Sequence, residues 1–144
     1  MQPAKSAGLL NVLSISPLDD DHATLQSIVD HSTWRLFKAH RVADAFPLLD
    51  EHEISVVLCE NDLKPGAWID VLDRLHDLPH PPSLIVTSRL ADEHLWAEAL
   101  NLGAWDVLPK PFTREEVLRG VKQAWHHWHR SAQPVALKTM RAAS

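Results

Sequence analysis

Residues 54 to 60 read ISVVLCE: an almost wholly apolar run, Ile54 to Cys59, closed by the carboxylate of Glu60. A strand with one wet face alternates apolar and polar side chains, and this one does not. It therefore reads as a strand covered on both faces, at the centre of a parallel sheet. The polar segment ENDLKPG that follows, Glu60 to Gly66, carries the loop residues Asn61, Asp62, Pro65 and Gly66. Trp68, Ile69, Val71, Leu72 and Leu75 then recur at helical spacing. Strand, loop and helix in this order make one β-then-α unit.

The same unit repeats on either side. Upstream, Asn11 to Ser16 (NVLSIS) is a short strand ended by Pro17, and Asp19, Asp20 and Asp21 supply N-cap and first-turn carboxylates to a helix whose stripe is Leu25, Ile28 and Val29. Trp34 to His40 (WRLFKAH) reads as a second strand, followed by a helix over Val42, Ala45, Phe46, Leu48 and Leu49 that reaches Glu51 despite Pro47. Downstream, His80, Pro81 and Pro82 lead into a fourth strand, Leu84 to Thr87, and a helix from about Asp92 to Leu102 stops at Gly103, a natural left-handed cap. The fifth strand is Trp105 to Leu108, and Thr113 with Glu116 has capping-box spacing before a last helix bearing Val117, Leu118, Val121, Trp125 and Trp128.

Five strands alternating with five helices predict an α/β fold, a doubly wound five-stranded parallel sheet of the flavodoxin-like order 2-1-3-4-5. Ligands of such sheets bind beyond the carboxyl ends of the strands, at the switch point between the first and third. Here those ends are Ser16 to Asp21, Glu60 to Asp62, Thr87 to Ser88 and Pro109 to Pro111.

Composition narrows the class. A chain of 144 residues, 45% hydrophobic and 23% charged, fits one soluble globular domain, expected over residues 10–131 with a leader at 1–9 and a tail or linker at 132–144. A net charge of −5 argues against nucleic acid or an anionic membrane as partner. No segment has the roughly 18 apolar residues of a membrane span and the first ten residues lack a signal-peptide core, so we expect a cytoplasmic protein. Cys59 is the only cysteine and reads as a small buried hydrophobe, with no disulfide and no Cys-based metal cluster.

With the four strand ends side by side, the chain resembles the response-regulator receiver family over about residues 10 to 130. The resemblance is carried by Ile54 to Cys59 with its following carboxylate, by Thr87 ending the fourth strand (LIVTS), and by LGAWDVLPKPF, in which Gly103-Ala104 precedes Lys110-Pro111-Phe112. It implies bacterial two-component phosphorelay signalling: an aspartate ending the third strand takes a phosphoryl group from a histidine kinase, with Mg²⁺ held by it and by an acidic pair after the first strand. Lys110 and Thr87 then stand where the family contacts the phosphoryl group, and Pro111 where it has a cis bond.

The sequence departs from the pattern at the positions that carry the chemistry. The phospho-acceptor position falls on Glu60, one methylene longer than aspartate, with Asn61 and Asp62 reached only by slips of one or two residues; Asp62 is the minor candidate. The acidic-pair positions read Ser16 and Pro17, and Asp19, Asp20 and Asp21 lie further on, at the helix start, where capping is the better expectation than Mg²⁺ binding and at most one carboxylate can face Glu60. The position of the family's switch aromatic is Val107, with Trp105 two residues earlier.

The resemblance and its departures together imply a stand-alone, atypical receiver that is not an enzyme. It would act by protein contact through the fourth helix, fifth strand and last helix, independently of phosphorylation. A phospho-accepting receiver using Mg²⁺ is the nearest alternative. A small α/β hydrolase or nucleotide-binding protein is a more distant one, disfavoured by only four glycines and the lack of a phosphate loop or G-x-S-x-G elbow. A third reading, a DNA-binding regulator, is disfavoured because neither a basic helix nor an output domain is expected in this sequence. The expected partners are a histidine kinase, a downstream regulator or a second copy, met through Trp105, Trp125 and Trp128 unless these tryptophans close the core. His126 and His129 share a helix face, a geometry open to adventitious transition-metal binding, although WHHWHR holds neither carboxylate nor cysteine.

Overall fold

The computed structural model describes residues 10–131, so the expected leader and tail lie outside the described residues. The strands are β1 (Asn11–Ile15), β2 (Arg35–Ala39), β3 (Val56–Glu60), β4 (Ser83–Ser88) and β5 (Asp106–Pro109). Between and after them come α1 (Asp19–Val29), α2 (Val42–Glu51), α3 (Trp68–Leu75), α4 (Glu93–Leu102) and α5 (Arg114–Arg130). The strands form one parallel sheet in the expected order β2-β1-β3-β4-β5.

Strand periodicity sorts the core into two layers. Leu13, Ile15, Val57, Cys59, Leu84 and Val86 face the side packed by α2, α3 and α4. Val12, Val56, Leu58 and Ile85 face the other side, where Leu25 and Ile28 of α1 and Val117, Val121 and Ala124 of α5 cover them. Every residue of β3 is buried, because helices lie on both of its faces.

Several boundaries have identifiable causes. Asp92 caps α4 by accepting the Leu95 N–H, and Gly103 ends that helix at φ 117°, a conformation open to glycine. Thr113 Oγ1 accepts the Glu116 N–H at the start of α5. The start of α1 differs from expectation: its N-cap is Leu18, which has no capping side chain, and the three aspartates all lie within the first turn. Ser16 Oγ accepts the Leu18 N–H at 3.1 Å and tightens the approach instead. Strand β3 runs on to include Glu60, past the expected end at Cys59.

The expected tryptophan surface needs a correction. Trp128 is buried, stacked on His80 with ring centroids 4.1 Å apart, and its indole N–H donates to the His80 carbonyl. It closes the fold against the loop before β4. Trp105 and Trp125 are half-buried and stack on His127 and His129. Among the described residues, the exposed large apolar side chains are Leu18, Ile69, Leu90, Trp96 and Leu102.

Candidate functional site

The register of the sheet brings the strand ends to one level. Ile15 pairs with Cys59, Glu60 with Thr87, and Thr87 with Leu108. Just beyond that edge, three charged side chains meet out of solvent. Lys110 Nζ lies 2.8 Å from Asp21 Oδ2 and also pairs with Glu60 Oε1, and the three side chains are 4%, 10% and 6% exposed respectively. Lys110 is placed by its own N–H, which donates to the Ser88 carbonyl at 3.0 Å, and is followed by a cis bond to Pro111.

The remaining hydrogen bonds of the cluster are local. Ser16 Oγ–H donates to Asp21 Oδ2 at 2.7 Å, and the Asp62 N–H donates to Glu60 Oε2 at 2.8 Å. Glu60 can stay in the strand although buried because both of its oxygens have partners, a requirement for any buried carboxylate. Burial alone would lower the Lys110 pKa, but hydrogen bonds to Asp21 and Glu60 and the charges of both carboxylates outweigh it and hold the ammonium above its ordinary range. Two carboxylates against one ammonium leave the cluster formally one charge negative. The neighbouring Cys59 thiol is pushed up by burial and by the Glu60 charge, and so is inert as a nucleophile.

The other predicted residues are placed as follows. Asp19 turns outward, 2.6 Å from His40 Nε2 at the surface. Asp20 is exposed and borders a cavity of about 430 Å³ with Asp21, Thr24, Arg89, Lys110, Pro111 and Phe112. Asp62 is exposed on the rim of a larger cavity of about 610 Å³, which Glu60, Asn61, Ser88, Arg89 and Lys110 also line. Thr87 is buried and its carbonyl accepts the Asn61 N–H at 2.8 Å; Ser88, one residue on, is the hydroxyl residue lining that cavity. Val107 is buried in the layer under α4.

Sequence reasoning passed over two members of this neighbourhood. Ser16 was noted only as replacing a carboxylate, yet it organises both Asp21 and the entry to α1. His22 is buried beside it with Nε2 2.9 Å from the Ser16 carbonyl, so Nε2 carries the proton, since the carbonyl only accepts. The signal for His22 was available: it precedes Leu25 by three residues and Val29 by seven, the spacing of the buried stripe. Burial lowers its pKa, and the Ser16 hydrogen bond opposes this less strongly.

The Mg²⁺ implied by the resemblance asks for several oxygen ligands in near-octahedral array. Asp21 and Glu60 are the carboxylates that reach the site, and the Lys110 ammonium already bridges them. Among the described residues, no group of three or more His, Cys, Asp or Glu is placed to hold a metal ion. The residues present do not fit Mg²⁺.

Comparison with known proteins agrees with the fold. A model of the response regulator receiver domain family matches residues 18–122. The transcriptional regulatory protein CpxR of Klebsiella pneumoniae is 29% identical over 119 residues, 81% of this chain and 50% of that protein. The regulatory protein VirG of Agrobacterium fabrum is 29% identical over 110 residues, 74% of this chain and 44% of that protein. The chain thus spans about half the length of the curated relatives it matches. Among solved structures, the signal receiver domain of an HD domain-containing protein from Pseudomonas fluorescens superposes with a TM-score of 0.75 at 24% identity, covering 84% of this chain and 98% of that one. The receiver domain of a putative Luxo repressor protein from Vibrio parahaemolyticus gives 0.77 at 18% identity, with coverage of 85% and 95%.

Proposed function

Because this chain belongs to the response regulator receiver domain family, we propose that it is a receiver that signals by protein contact and does not depend on phosphorylation. The observation that carries this reading is the engagement of Glu60. Glutamate occupies the position at which the family has its acceptor aspartate, and its carboxylate is buried and paired with Lys110, the residue that otherwise contacts the phosphoryl group. An acceptor must present a free carboxylate oxygen to the donor. Here one oxygen is held by an ammonium and the other by the Asp62 N–H. Asp62 is a poor substitute, since its side chain sits at the rim and its backbone serves Glu60.

The contact surface of this reading is the face of α4, β5 and α5. Trp96 and Leu102 on α4 are 50% and 46% exposed, and half-buried Trp105 adjoins β5. The partner would be a protein of a two-component system, a kinase, a downstream regulator or a second copy, in the cytoplasm. No helix among the described residues is long and apolar enough to cross a membrane.

An amide NMR spectrum before and after addition of Mg²⁺ with acetyl phosphate tests the reading. We expect no shift along β4, α4 and β5. Concerted shifts there that decay with hydrolysis of the donor would show a working switch and end the proposal.

A further inference from the structure

Two buried carboxylates in one small volume repel each other, and in a low-dielectric site a cation has to answer them. In most of its geometry Lys110 behaves as that cation. Its ammonium lies between Asp21 and Glu60, 2.8 Å from the first and paired with the second, and its side chain is 4% exposed. Each carboxylate has one further donor: Ser16 Oγ–H shares Asp21 Oδ2, and the Asp62 N–H holds Glu60 Oε2. Unlike a dissolved ion, this cation is tethered by its backbone, whose N–H is bound to the Ser88 carbonyl.

We propose that Lys110 is the resident cation of the site, holding the place between Asp21 and Glu60 that a divalent metal would need, so that the protein is insensitive to Mg²⁺. The inference rests on the phosphorylation-independent reading and names its physical cause. A dication entering between the two carboxylates must displace the ammonium from both contacts and leave two cations adjacent, with Asp20 and Asp62 exposed on the borders of the cavities beside the cluster. Asp19 is engaged at the surface with His40.

The test uses the full chain with Mn²⁺ as a paramagnetic probe and Mg²⁺ as a thermal one. Millimolar Mn²⁺ should broaden the amides of Asp21 and Asp62 no more than those of exposed loops, and the melting temperature in Mg²⁺ should equal that in NaCl of matched ionic strength. Saturable broadening centred on these amides, or a Mg²⁺-dependent rise in melting temperature lost in Asp21→Asn, overturns the inference. Lys110→Met should gain a saturable Mg²⁺ response, and a folded variant without one overturns the assignment to Lys110. The two readings fail separately. A wild-type protein that binds Mg²⁺ yet takes no phosphoryl group from acetyl phosphate sinks this inference alone, whereas one that is labelled sinks the reading it rests on.

Discussion

Replacing Lys110 by methionine keeps most of the side-chain volume and removes the charge, which isolates the electrostatic role of the ammonium. It leaves Asp21 and Glu60, 10% and 6% exposed, without their common counter-ion. Breaking a buried ion pair from one side costs about 3–5 kcal/mol. Each carboxylate keeps one other donor, the Ser16 hydroxyl or the Asp62 N–H, so we place the loss at the lower end, about 3 kcal/mol. For a chain of this size that corresponds to a fall in Tm of about 10 °C. Urea unfolding at pH 7.5, followed by tryptophan fluorescence and far-UV circular dichroism, reads the change directly.

A lysine held above its unfolded pKa contributes its full stabilisation below that unfolded value and loses it only as pH rises through the folded one, so at pH 7.5 the whole term is present. Coupling provides the sharper check. Glu60→Gln removes one of the two negative charges, so the double variant with Lys110→Met should be more stable than Lys110→Met alone, by about 1–2 kcal/mol. A single variant within about 1 kcal/mol of wild type, or a double variant that loses the full sum of the two single losses, would refute a buried cluster held together by this ammonium.

His22 is neutral in its buried site because its pKa is lowered, so its contribution is present above about pH 6.5 and is lost as pH falls through the folded value. Accordingly, the urea midpoint of wild type should drop more steeply from pH 7.5 to 5 than that of His22→Gln; parallel curves would exclude His22 as the cause. The two glycines at and beyond α4 should respond in opposite directions. Gly120 lies in the interior of α5 with nothing within 4 Å of an added Cβ, so Gly120→Ala should stabilise by about 0.5–1 kcal/mol. Gly103 has φ 117° and Leu72 Cδ2 at 3.3 Å from an added Cβ, so Gly103→Ala should destabilise by about 1–3 kcal/mol. Thermal melts of both variants check the pair, and shifts of the same sign would contradict this account of the backbone.

Much of the architecture was legible because it rests on local pattern. The unbroken apolar run at Val56–Cys59, the stripes of α1 and α5, and Gly103 after α4 report burial and termination directly in the chain. The elements that escaped reading depend on partners distant in sequence. Lys110 meets Asp21 across 89 positions and Trp128 meets His80 across 48, and no spacing rule encodes either contact. Glu60 was expected just outside its strand, because the apolar run ends at Cys59; Lys110 and the Asp62 N–H satisfy its buried carboxylate and the strand continues through it. The aspartates of α1 illustrate the limit well. Sequence allowed only one of them to face Glu60, and which one was decided by helix phase, with Asp21 turned inward beside Ser16 and Asp19 outward to His40. The cis bond at Lys64-Pro65 had no signal in the reading of that loop.

The most direct test of the central claim is incubation of the purified wild-type protein with Mg²⁺ and acetyl phosphate, followed by intact-mass measurement. The account predicts an unmodified chain with an intact α/β circular dichroism signal. A gain of one phosphoryl mass, abolished by substitution of Asp62 or of an aspartate in the 19–21 cluster, would contradict it and identify a working receiver with a displaced acceptor.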